Sequence, residues 1–109
     1  MAVELEIFDI GVLKADADVS DYQHHFVKLT GVDFTFGLCT AGIAPVGILQ
    51  NKPAAAGRVG QIRRVGLSKL IIADTIAAGE FVKSDDDGHG VPVAADEDNY
   101  GAVALEAGT

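Results

Sequence analysis

Hydrophobic and polar residues alternate from the start of the chain. Val3, Leu5 and Ile7 fall on one side and Glu4 and Glu6 on the other, the period of two that marks a β-strand. Phe8, Ile10, Val12 and Leu13 carry the apolar character on until Lys14-Ala15-Asp16-Ala17-Asp18 breaks it. A terminal segment this apolar needs a surface to lie against, either its own domain or a neighbour. Residues 1–18 therefore read as an N-terminal arm or edge strand, and residues 19–109 as a single β domain.

Further alternating runs follow at close intervals. Tyr22–Leu29 places Tyr22, His24, Phe26 and Lys28 on one face and Gln23, His25, Val27 and Leu29 on the other. Phe34–Thr40 repeats the pattern after a turn at Thr30-Gly31-Val32-Asp33, and Pro45 opens a short strand at Val46–Gln50. Asn51–Gly57 is a loop, Val59–Val65 a strand, and the aliphatic, β-branched run Leu67–Ala73 is expected to be a buried central strand. Around residues 74–79, Asp74 or Thr75 as N-cap and Gly79 as the left-handed stop predict one short helical turn. Glu80–Ser84 and Val91–Ala95 flank Asp85-Asp86-Asp87-Gly88-His89-Gly90, the strongest hairpin signal in the chain, and Tyr100–Glu106 is the last strand. Short strands at this spacing predict an all-β fold, a small Gly-rich barrel or sandwich.

Composition sharpens this reading. The 109 residues suffice for one domain that folds without metals or disulfides, and 13 glycines favour tight turns over a helical bundle. A net charge of −8 would repel a phosphate backbone, so no nucleic-acid partner is expected. Cys39 has no cysteine to pair with and reads as a small buried hydrophobe, compatible with a reducing cytoplasm. No basic segment followed by an apolar run marks a signal peptide, and no stretch reaches the roughly 20 apolar residues that span a bilayer, so no membrane partner is expected.

Candidate chemistry is sparse. An EF-hand register with Gly88 at its sixth position would put Lys83 and Ala94 where acidic ligands belong, so Asp85–Gly88 reads as a solvated hairpin tip. His24 and His25 point to opposite strand faces and His89 reads as surface, so no metal site is expected. Ser20, Ser68, Ser84 and Cys39 lie in no nucleophile motif, and Gly57-Arg58-Val59-Gly60 lacks the features of a phosphate cradle. The expectation is a protein without catalytic residues or cofactor. Arg58, Arg63 and Arg64 concentrate three of the eight Lys and Arg residues, either as a solvated strand face or as a basic strip for an acidic partner.

Several motifs recur in a telling order: Pro45-Val46-Gly47-Ile48-Leu49, Ala56-Gly57, Val59-Gly60-Gln61-Ile62-Arg63, Gly66-Leu67-Ser68-Lys69, Ile76-Ala77-Ala78-Gly79-Glu80-Phe81-Val82, Ser84-Asp85-Asp86-Asp87-Gly88 and Gly101-Ala102-Val103-Ala104-Leu105-Glu106-Ala107. Across residues 22–109 they resemble a family of small tailed-phage capsid decoration (cement, or head-stabilising) proteins. The resemblance implies a virion structural protein that binds the capsid exterior and stabilises the shell after assembly in the host cytoplasm. Its partners would be the major capsid protein and itself, as a homotrimer or similar cluster. The candidate interface, for capsid or self-association, is the apolar segment Val3, Leu5, Ile7, Phe8, Ile10, Val12 and Leu13, which could grip a neighbour by strand addition, together with Arg58, Arg63 and Arg64. Members of that family continue past the equivalent Ala-Leu-Glu-Ala-Gly turn into one more strand. Either this sequence stops short of it at Thr109, or another element such as the N-terminal segment supplies it. The alternative function is a small β-clip-like module holding a carbohydrate or other small ligand, with Tyr22, His24, Gln61 and Arg63 as its polar set.

Overall fold

In the computed structural model of the chain, residues 8–65, 68–93 and 102–103 are described. The strands are β1 (Phe8–Ile10), β2 (Lys14–Ala15), β3 (Phe26–Leu29), β4 (Thr35–Leu38), β5 (Gly47–Leu49), β6 (Ile62–Val65), β7 (Phe81–Ser84), β8 (Gly90–Pro92) and β9 (Ala102–Val103). They form a six-stranded sheet in the order β1-β6-β5-β3-β4-β2 and a three-stranded sheet in the order β8-β7-β9. Every pairing between these strands is antiparallel except β2 with β4. The fold is all-β and sandwich-like.

Alternation along β3 explains the layering. Phe26 and Val27 are neighbours on opposite strand faces, yet both are fully buried. Val27 joins Leu13, Ala15, Val19, Phe36, Leu49 and Ile62 in one apolar cluster. Phe26 joins Cys39, Ile48, Ile76 and Val82 in a second, toward which the three-stranded sheet contributes Val82. The central position belongs to β3, therefore, and not to residues 68–73; Leu67 of the predicted run lies outside the described residues. Residues 68–73 form no strand; Ile72 makes an isolated bridge to Gly90, and Leu70 and Ile72 cover the second cluster half-buried. The β-branched character of that run serves as a lid over a core, which strand propensity cannot distinguish from a central strand.

The first sheet curls back on itself through the segment 13–16. Lys14 N and Asp16 N donate to Phe34 O and Phe36 O at 2.7 and 3.0 Å. On the other side, Ala15 N donates to Arg58 O at 2.8 Å and Leu13 O accepts from Gly60 N at 2.9 Å. Lys14 also bridges Val59. Close approach here requires glycine: a Cβ on Gly60 would collide with the Phe36 ring. The described part of the N-terminal segment thus supplies strands and core side chains to the domain, whereas Val3, Leu5 and Ile7 lie outside the described residues.

The helical turn expected around residues 74–79 is absent. Asp74 Oδ1 accepts from the adjacent Thr75 N, and a tight turn follows in which Glu80 N donates to Ala77 O and Gly79 takes φ 87°. Buried Ile76 fixes this segment to the second cluster in extended form, so the capping residues serve a turn instead. A 3₁₀ turn occurs at Ser20–Tyr22, where Asp18 accepts from both the amide and the hydroxyl of Ser20. It shortens the predicted strand 22–29 to β3, as does His24 with φ 65°.

Candidate functional site

The β3–β4 connection builds an apolar end on the six-stranded sheet. Thr30 closes it, its amide donating to Thr35 O and its hydroxyl accepting from Val32 N. Gly31 turns the chain with φ 92°, and Phe34 follows with φ 52°, a left-handed conformation that is unusual for a bulky side chain. Val32 and Phe34 are each 67% exposed. Backbone pairing brings two more stretches to this end: Phe34 O accepts from Lys14 N, and Lys14 bridges Val59. Exposed Val12 precedes Lys14, and exposed Leu29 ends β3 opposite Phe36. Leu29, Val32, Phe34, Val12 and Val59 are five of the eight large apolar side chains exposed among the described residues. Ile43, Ile71 and Phe81 lie elsewhere.

The residues predicted for an interface separate into different roles. Val12 is 61% exposed, whereas Leu13 is 6% exposed and belongs to the first core cluster, so Leu13 offers no surface to a partner. Ile10 is half-buried against the same cluster, and Phe8 pairs with Val65 across β1–β6. Arg63 does not extend a basic strip. Its Nε and Nη2 donate to the Asp9 carboxylate at 2.9 and 3.3 Å, and Gln61 Nε2 donates to the same carboxylate at 2.7 Å. The hydrogen bond from Arg63, then that from Gln61, hold the Asp9 carboxyl below its usual range, and the same contact raises Arg63. Arg64 Nη1 donates to Val46 O at 3.0 Å, while the Arg58 side chain is exposed. Arg63 therefore secures β1 to β6, which the residue spacing alone did not distinguish from partner binding.

The four residues considered for a small ligand divide likewise. Gln61 and Arg63 are engaged by Asp9, and Tyr22 packs edge-on against His25 with 5.5 Å between ring centroids. His24 sits apart from that carboxylate, on the loop before β3, its amide donating to Leu49 O.

A further grouping escaped the sequence: two of the chain's three histidines, His25 and His89, meet where the two sheets join. His89, in the β7–β8 hairpin, places its ring 4.8 Å from that of His25, centroid to centroid. His25 is 7% exposed, with Nδ1 3.1 Å from Gln23 O. Since a carbonyl only accepts, that nitrogen carries the hydrogen. His24 Nδ1 is buried without a hydrogen-bond partner, and burial, reinforced by Lys69, His25 and Lys52, lowers its ring below the ordinary imidazole range. The hairpin docks through Phe26 N to Gly88 O at 2.8 Å, and a Cβ on Gly88 would press on Leu38 and Phe26 O. Asp85, Asp87 and His89 each bring a polar atom within 4.8 Å of the others. Turn hydrogen bonds account for that closeness, because Asp85 Oδ1 accepts from Asp87 N and His89 N, each at 2.9 Å. No local signal in the sequence links His89 to His25; only the pairing of distant strands does.

Among the described residues, no helix is long and apolar enough to cross a membrane. Comparison with protein-family models, with curated proteins and with solved structures found no match to this chain.

Proposed function

We propose that this chain is a virion structural protein that binds the outside of a tailed-phage capsid and reinforces the shell, as its motif order implies. The reading is supported by one observation above the rest, the exposed apolar end formed by Val12, Leu29, Val32, Phe34 and Val59. Side chains of this size gathered at one end of a sheet are the usual mark of a protein contact. The left-handed Phe34 backbone supports the same reading, because such strain persists where surrounding structure holds a side chain in place for use. A net charge of −8 keeps the remaining surface soluble and self-repelling until it docks. The major capsid protein is the partner in this reading, self-association into a trimer or similar cluster accompanies binding, and no turnover is involved.

Cosedimentation with capsids of its own phage tests the proposal. Wild-type protein should bind saturably, and the double variant Val12→Asp/Phe34→Asn should lose at least about tenfold in affinity while keeping its circular dichroism spectrum. Asn tolerates the left-handed conformation, so the variant remains folded. Wild-type protein that fails to sediment with either unexpanded or expanded shells rejects the capsid reading. Undiminished binding by the double variant moves the contact away from this end.

A further inference from the structure

We propose that the loop before β3 carries a binding site for a single phosphate group, formed by the His24 imidazole with Lys52 and Lys69. The three side chains come from separate stretches that hydrogen bonds join at one place. His24 N donates to Leu49 O at 2.7 Å, and Lys52 follows Leu49 through Gln50 and Asn51. Ile71 N donates to His24 O at 2.8 Å, and Lys69 precedes Ile71 through Leu70. A relay of side chains ties these stretches together. Gln23 Nε2 donates to Gln50 O at 2.9 Å, Gln50 Nε2 to Ser68 Oγ at 2.7 Å, and Ser68 Oγ to Lys69 O at 2.8 Å. The chain on either side of Lys52 is fixed as well. Asn51 Nδ2 donates to Val59 O and its Oδ1 accepts from Gln61 N, while the carbonyl of buried Pro53 accepts from Val19 N.

His24 bears two local costs within this frame. Its backbone takes φ 65°, a left-handed conformation that only Phe34 shares among the described non-glycine residues. Its Nδ1 is the one buried side-chain nitrogen or oxygen without a hydrogen-bond partner among the described residues. Such costs persist where surrounding structure holds a group in place for use. Nε2 is neither enclosed nor bonded, so it is open to solvent. Burial, then Lys69, His25 and Lys52, hold the ring below the ordinary imidazole range, so it is neutral at pH 7.5. An orphaned buried N–H is rarer than an orphaned lone pair, which places the hydrogen on Nε2 as a donor. Lys52 and Lys69 are exposed and have no hydrogen-bond or ion-pair partner among the described residues. Two unpaired cations beside a neutral donor suit the dianionic phosphate, which takes charge-assisted hydrogen bonds from each. The remaining surface, on a chain of net charge −8, repels a polyanion, so the site fits an isolated phosphate group and not a nucleic-acid backbone.

An amide NMR titration at pH 7.5 tests the site, with sodium chloride holding the ionic strength constant. Inorganic phosphate should give saturable shifts at His24, Lys52 and Lys69, while Gly37 in β4 stays unmoved. Lys52→Met and Lys69→Met, both at exposed positions, should each weaken binding about tenfold or more. His24→Asn should do the same, since Asn tolerates the left-handed backbone. O-phosphoserine forms a second arm: binding tighter than that of inorganic phosphate assigns the site to a phosphorylated chain, and weaker binding assigns it to the free ion. Wild-type shifts that drift linearly without saturating overturn the proposal. A lysine variant that binds phosphate as tightly as wild type overturns it too, as does acetate that binds as tightly as phosphate.

Discussion

Single residues carry much of what distinguishes this surface. Phe34 spends conformational energy, of order 1–3 kcal/mol by its backbone angles, to remain exposed. Phe34→Asn alone should therefore match or raise the wild-type melting temperature while weakening capsid binding, a divergence that thermal melts and cosedimentation measure together. Asp9 shows the opposite economy, since its hydrogen bonds from Arg63 and Gln61 are structural. Because its folded carboxyl is lowered, it stabilises the protein above its unfolded value of about 3.9, and that contribution is lost as pH falls through the folded value. Asp9→Asn should accordingly melt below wild type at pH 7, with the gap closing as melts are repeated toward pH 3. Neither role was legible beforehand. Arg63 was visible only as part of a basic cluster, and Phe34 only as one member of an alternating run, because neither spacing nor residue type reveals a cross-strand carboxylate or a positive φ.

Between elements, the decisive contrast lies within two adjacent residues of the N-terminal segment. Val12 faces solvent and Leu13 enters the core beside Val27, Phe36 and Ile62. Leu13→Ala should cost about 2–5 kcal/mol in urea denaturation, whereas Val12→Ala should remain within about 0.5 kcal/mol of wild type. Most strand positions were legible in the sequence, since Gly, Asp and Pro mark the turns around β4, β5 and the β7–β8 hairpin. Lys14–Ala15, read as a break, forms β2 instead, and two further stretches were not legible either. Residues 68–73 carry strand-forming residues but lie as cover, and Asp74–Gly79 carries capping residues but follows a buried Ile76 instead of winding. In both, tertiary packing overrode a local preference worth at most about 1 kcal/mol per residue.

For the whole molecule, the same segment determines whether a folded body exists. Leu13, Ala15 and Val19 are three of the seven buried residues in the first cluster, and Leu13 to Asp16 bond to the chain ending in β4 on one side and to residues 58–60 on the other. A chain beginning at Ser20 should show no cooperative thermal transition by circular dichroism, so its failure to bind capsids would say nothing about a gripping arm. Point variants on the folded protein are the sharper instrument. The all-β class was readable from turn spacing and glycine content. Joining His25 to His89, or Asp9 to Arg63, depends on contacts between distant parts of the chain, which alternation along individual strands does not encode.

That doubly bonded N-terminal segment also bears on how the protein comes into being on the ribosome. β1, just ahead of that segment, emerges before the strand it pairs with, because Arg63 follows Asp9 by 54 residues. At roughly 5–20 residues per second, β1 waits roughly 3–11 s for β6 to be made. During that interval an apolar strand stands with both edges open, so nascent chains are exposed to mispairing just when neighbouring copies on a polysome are closest. The long sequence separation between β1 and β6 thus leaves the nascent chain open to aggregation until β6 is made.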